Sequence, residues 1–186
     1  MHLDHALDLL PLSGELTQDA FRERFGDRPR PVLYVPRVHG PQVLEALASA
    51  VGASFERFVD AFDLREYDER DQVKVGALTM EFVRTMHPAP CYAPRISDGK
   101  SSLVYGADGA YSDALVHARD ADLLLLEATY LDHGAELERN GHMTGEQAAI
   151  VAARARARRL LLTNLGPAQQ RNEENLRRAR ARFEGD

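Results

Sequence analysis

The sequence predicts a mixed α/β fold, of the α/β or α+β class, with sheets covered by helices. Three observations carry this. The stretch from Asp63 to Val104 is built of short alternating segments separated by charged or Gly-containing turns. The last third alternates helical periodicity with the apolar runs "DLLLLEAT" and "RLLLTNL". Ahead of both, "VLYVP" and "GPQVLEALASAVG" read as a strand followed by a helix.

Taken in order, "ALDLLPL" reads as a short apolar helix, and "SGELTQDAFRERFGDRPRP" as polar helix and loop closed by Gly and Pro. "VLYVP" has the composition of a buried strand. In the helix that follows, Pro stands at the start, Val43, Leu44, Leu47 and Val51 fall at helical spacing, and Gly52 ends the run. The strands of an antiparallel or mixed sheet come next: "LREY", "VKVGALTMEFVRTMH", "CYAPRIS" and "SSLVYGAD". "SDALVHARDADLLLLEAT" then gives a capped helix and a buried strand, "TGEQAAIVAARARARRLLLTNL" a longer helix and a second buried strand, and "QRNEENLRRARARF" a final helix. No internal repeat interrupts this order, and 186 residues suit one domain, spanning 1–186.

Composition narrows the function classes. Hydrophobic residues make up 44% and charged residues 28%, the balance of a soluble globular chain. No apolar run approaches a bilayer span, and the first residues lack a signal-peptide pattern, so neither a membrane nor export is expected. The lone Cys91 excludes an internal disulfide and fits a reducing cytoplasm. A net charge of −6 would repel a phosphate backbone, so nucleic acid would need a local basic patch. The Arg-rich "RARARR" and "RRARAR" read as solvated helix faces, since acids such as Glu173 and Glu174 lie close by in sequence.

The chain opens on "MHLDHALDLL". His2, Asp4 and His5 carry nitrogen and carboxylate donors that suit zinc, and a strand-to-helix junction could bring them together. The same residues could equally form a polar helix cap at Asp4. Further along, His87, Asp108, Glu127 and Asn164 stand where core strands are expected to stop, and His142 sits in the Gly-flanked loop "NGHMTGEQ". Site residues of layered α/β folds gather at such ends. His142 could cap the following helix, but Thr144 with Gln147 three residues on forms a better capping box and leaves His142 for another task.

The ordered set "HLDH", His87, "YGADG", "LLLLEAT", "GHMTGEQAA" and "RLLLTNLGP" resembles the metallo-β-lactamase-fold hydrolases, in particular their ribonuclease Z-like and cyclic-nucleotide phosphodiesterase-like branch. The likeness runs over essentially the whole chain. It implies an αββα sandwich. The superfamily's first metal motif, HxHxDH, places its second histidine at His2, its aspartate at Asp4 and its last histidine at His5, while its first histidine falls one place before Met1. The expectation is therefore an N-terminally truncated domain that lacks the first strands of the sandwich. An uncovered sheet edge would invite pairing with another chain, so a homodimer stays open.

By the same resemblance His2 and His87 would bind one zinc ion, Asp4 and His5 another, and Asp108 would bridge them; manganese or iron are alternatives in such donor sets. The last family ligand is the histidine of "LTH", and this chain has Asn164 in its place. His142 would act at the leaving group with Glu127 orienting it, and Asp4 would stand with them among the catalytic residues. The implied reaction is phosphodiester hydrolysis of an RNA 3′ end or a cyclic nucleotide. Alternatives are a non-catalytic domain of this fold depleted in ligands, and a one-metal enzyme acting on a carboxylic ester or thioester.

Overall fold

The computed structural model describes residues 6–26, 29–50, 52, 60–134 and 139–186, so His2, Asp4 and His5 lie outside the described residues. The chain divides into two compact units, Met1–Asp68 and Glu69–Asp186.

In the first unit, helices α1 (Leu9–Leu16) and α2 (Asp19–Phe25) precede strand β1 (Val32–Pro36), helix α3 (Gly40–Ala50) and strand β2 (Asp63–Tyr67). The two strands pair in parallel, from Val32 opposite Asp63 to Pro36 opposite Tyr67, as a strand, crossover helix and strand require. α3 packs directly on β1: a Cβ placed on Gly40 would stand 2.9 Å from the Val35 Cβ, too close for any side chain. Val35, Leu44, Leu47, Ala48, Ala61 and Phe62 form the core of this unit. α1 differs from expectation at its boundary, since it runs through Pro11 into the polar "SGEL". Pro11 lies in the first turn, where its missing N–H interrupts no helical bond.

The second unit holds β3 (Gln72–Val75), β4 (Leu78–Arg84), β5 (Tyr92–Ser97), β6 (Ser102–Tyr105), a 3-10 helix (Asp113–Ala118), β7 (Leu123–Glu127), α4 (Gly145–Ala155), β8 (Leu160–Thr163) and α5 (Gln169–Arg180). The six strands form one sheet in the order β3-β4-β5-β6-β7-β8. From β3 to β6 neighbours are antiparallel and joined by short connections. β6, β7 and β8 are parallel because helical segments return the chain between them. The penultimate strand β7, "LLLLE", has neighbours on both sides and buries Leu124, Leu126 and the terminal Glu127. Over it lies the alanine-rich face of α4, Ala148, Ala149, Ala152 and Ala155, with Leu115 and Met143. Each fully buried leucine contributes roughly 1.5–3 kcal/mol.

Two expectations need correction. The segment after Ser112 is a 3-10 helix, and the Ser112 side chain makes no capping bond; its hydroxyl has no hydrogen-bond partner among the described residues. β8 is the edge of the sheet among the described residues and only half-buried, with Leu161 exposed. The capping box of α4 forms as expected: Gln147 N–H donates to the Thr144 hydroxyl, and Thr144 N–H donates to the Gln147 side chain.

The arginine-rich stretches are ion-paired. Arg154, Arg156 and Arg158 meet Asp113, Asp120 and Asp122. Arg177 and Arg178 both donate to Glu174, whose carboxyl they hold down at about 2. Among the described residues no helix is long and apolar enough to cross a membrane.

Candidate active site

The site lies beyond the C-terminal ends of the parallel strands. β6 ends at Tyr105, three residues before Asp108, and β7 ends on Glu127 itself. β4 stops at Arg84, so His87 lies in the segment after it and not at the strand's last position. That segment is held to the Asp108 loop by two bonds: the Thr85 hydroxyl donates to the Asp108 carbonyl at 2.7 Å, and Ala110 N–H donates to the Met86 carbonyl at 2.8 Å. His87 and Asp108 are thus placed on adjoining loops.

His142 arrives from the loop ahead of α4. Gly141 has φ +74°, and a Cβ there would stand 2.8 Å from the His87 Cα and 2.5 Å from the Pro88 Cδ. Glycine therefore allows this loop to lie directly on the His87 segment. The His87 and His142 rings meet edge-on with centroids 5.6 Å apart, and Tyr130 lies 5.9 Å from His142 on another side. Potential ligand atoms of Asp108, Glu127 and His142 all fall within 4.8 Å of one another.

Glu127 is 1% exposed. Its Oε1 accepts from Gly109 N–H at 2.8 Å and from His142 Nδ1 at 2.9 Å; its Oε2 accepts from the Thr129 hydroxyl at 2.7 Å and from Met143 N–H at 3.2 Å. Those donors fill the acceptor capacity of a carboxylate. Both Glu127 oxygens already have donors, although their distances to Asp108 and His142 would also admit a cation. Because a carboxylate can only accept, His142 donates to it from Nδ1.

Asn164, just after β8, has φ +50°, a left-handed conformation that asparagine adopts more readily than most residues. Its side-chain nitrogen donates to Asp108 Oδ1 at 3.2 Å and to the Thr129 hydroxyl at 3.1 Å. Burial pushes the Tyr105 phenol up, and the charges of Asp108, Cys91 and Glu127 add to the effect. Tyr105 thus stays neutral at the margin of the site.

The structure brings His87, Asp108, Glu127, His142 and Asn164 together. Sequence reasoning passed over Thr129, which links Glu127 to Asn164. It also passed over Asn175 of α5, 2% exposed, which donates to the Ala128 carbonyl and accepts from Gly145 N–H, both at 3.0 Å. Asn175 ties together the loops that carry Glu127 and His142. Thr129 was visible within "EAT"; nothing in the polar run "QRNEENLRR" distinguished Asn175.

Comparison with known proteins fits this architecture. A family model described as "Beta-lactamase superfamily domain" matches residues 1–163. The chain belongs to the metallo-β-lactamase-fold hydrolase family. It is 34% identical over 189 residues to the uncharacterized protein ML1173 of Mycobacterium leprae, covering all of this chain and 63% of that protein. It is 40% identical over 101 residues to the probable metallo-hydrolase YhfI of Bacillus subtilis, covering 53% of this chain and 41% of YhfI. The crystal structure of YhfI superposes with a TM-score of 0.78 at 26% identity, over 99% of this chain and 69% of that one. A ribonuclease Z of Thermobifida fusca is 42% identical over 81 residues, 42% of this chain and 26% of that enzyme. The chain spans less than two thirds of the length of the curated relatives it matches.

A metallo-hydrolase family implies a divalent metal. The donor set agrees in part. Asp108 offers a carboxylate and His87 an imidazole. Nδ1 of His87 lies 3.1 Å from the Ala89 carbonyl and 3.2 Å from the Ala89 N–H; the tautomer that donates to the carbonyl leaves Nε2 able to ligate, and the one that accepts from the N–H does not. Asn164 does not fit, because it presents an N–H donor to Asp108.

Proposed function

We propose that this chain carries the centre of a metal-dependent phosphodiesterase. The reading follows from the His142–Glu127 pair, 2.9 Å apart, set beside Asp108 and His87. His87 and Asp108 would hold divalent metal, with zinc the first choice, manganese and iron the alternatives, and His2, Asp4 and His5 as further ligands. When bound, divalent ions supply positive charge that activates water and offsets charge on the phosphoryl oxygens.

The chain's own residues supply the rest. Glu127 fixes the His142 ring through Nδ1, which leaves Nε2 as the atom that exchanges a proton with the reactants. As water's oxygen bonds to phosphorus and the bond to the leaving oxygen breaks, Nε2 would take up the proton that the water gives up and pass it to that leaving oxygen, so that protons balance over the turnover. The rings of His87 and Tyr130 lie 5.6 and 5.9 Å from it, centroid to centroid. A small phosphodiester is preferred over an RNA 3′ end, because "GELTQDAFRERFGDRPRP" is short and not strongly basic. The ribonuclease Z relatives keep an RNA substrate as the competing case.

The test is hydrolysis of bis(p-nitrophenyl) phosphate and of a cyclic mononucleotide by the metal-loaded chain. Metal-dependent turnover that falls at least 100-fold in His142→Ala, with the fold intact by circular dichroism, is the expected result. Unchanged turnover in that variant would remove His142 from the chemistry. The orientation of Asn164 favours a second reading, a ligand-depleted domain that binds phosphodiesters without cleaving them; it would bind the substrate with no turnover at any metal concentration.

A further inference from the structure

The Asn164 side-chain nitrogen meets two acceptors among the described residues, Asp108 Oδ1 and the Thr129 hydroxyl. Asp108 Oδ1 can only accept. The Thr129 hydroxyl has a single proton, and its 2.7 Å bond to Glu127 Oε2 commits it. Both hydrogens of the Asn164 nitrogen are thereby used, one toward Asp108 at 3.2 Å and one toward Thr129 at 3.1 Å. Turning the amide over would set its oxygen against the Asp108 carboxylate. An amide nitrogen gives its lone pair to the carbonyl, so the atom that Asn164 turns toward Asp108 has none to offer a cation. The bonds form one line: Asp108 accepts from Asn164, which donates to Thr129, which donates to Glu127, which accepts from His142.

We propose that Asn164 holds Asp108 by a hydrogen bond in place of ligating metal, so that this chain binds one divalent ion fewer than its own Asn164→His variant. The inference rests on the metal reading given above and deepens it. An imidazole has the lone pair that the Asn164 amide nitrogen lacks, and histidine shares the tolerance of asparagine for left-handed backbone. The hydrogen-bond line gives Asn164 a positioning task, fixing the Asp108 carboxylate and, through Thr129, the Glu127–His142 pair.

Ions bound per chain would be measured by equilibrium dialysis against Mn2+ and against Zn2+ with elemental analysis, on the wild type, Asn164→His and Asn164→Gly. Glycine removes the amide without strain at φ +50°. The expected result is one additional ion in Asn164→His and the wild-type number in Asn164→Gly. Loss of an ion in Asn164→Gly would show the amide oxygen acting as a ligand and overturn the inference, as would an unchanged number in Asn164→His. Either of those results with metal-dependent hydrolysis intact sinks the inference alone. A wild-type chain that binds no ion and gains none in Asn164→His overturns the metal reading together with it.

Discussion

Glu127→Ala is the substitution whose cost can be built most completely from the structure. Removing the carboxylate strips the acceptor from Gly109 N–H and Met143 N–H, both buried, and from the His142 ring and the Thr129 hydroxyl. Thr129 can turn toward the Asn164 carbonyl, 3.3 Å away, so it costs little. Each orphaned buried amide costs about 1–3 kcal/mol, and the space left by the side chain adds to that. The two amides alone sum to roughly 2–6 kcal/mol, which for a chain of this length lowers Tm by about 4–24 °C. Urea unfolding followed by circular dichroism measures it. Glu127→Gln keeps one acceptor oxygen but turns an NH2 group toward a backbone N–H whichever way it is placed, so about half the loss is expected. A Glu127→Ala protein within about 1 kcal/mol of wild type would refute the reasoning, because buried donors of this kind cannot be left unpaired so cheaply.

Three further tests follow from the same geometry. Asn175→Ala removes partners from the Ala128 carbonyl and Gly145 N–H, so a loss of about 2–4 kcal/mol is expected in the same assay; retention of full stability would mean that α5 is not what ties the two loops. Gly141→Ala combines a left-handed backbone with a clash against His87 and Pro88, and should cost about 1–3 kcal/mol and shift the His87 imidazole resonances; an unshifted spectrum would contradict the close approach. Burial, then the Arg95 charge, pushes the His117 imidazole below its ordinary value against an opposing pull from Glu81. The unfolded chain therefore binds the extra proton first, so stability falls as pH drops below about 6.5 toward the folded value. His117→Gln should flatten that part of the pH profile of unfolding, and an equally steep profile would assign the slope to another group.

Much of the fold was legible because periodicity and punctuation agreed. β7 declared itself as an apolar run closed by a polar residue, and α4 by its capping box. The end of α4 was less visible. Arg156 takes the left-handed position that glycine usually fills, and a two-pronged bond to Asp120 from far earlier in the chain holds it there. The 3-10 turn after Ser112 was read as an ordinary capped helix, since a serine at that place is equally at home with its hydroxyl unbonded. The site residues were legible as polar endings of strands and loops, and their convergence came from resemblance to a family. What Asn164 does could not be read from "LTN". The direction of an amide is set by Asp108 and Thr129, 56 and 35 residues away along the chain.

The central proposal is that His87 and Asp108 hold a divalent cation next to His142. Titration with Mn2+, followed through the imidazole 15N–1H resonances, tests it most directly. His87 and His142 should broaden at the first additions and recover in Asp108→Ala. His117 should stay sharp: the Arg95 that donates to its carbonyl reaches Ser102, at the start of β6 and the far end from the site. Broadening of His117 before the other two, or none at His87 and His142, would contradict the account.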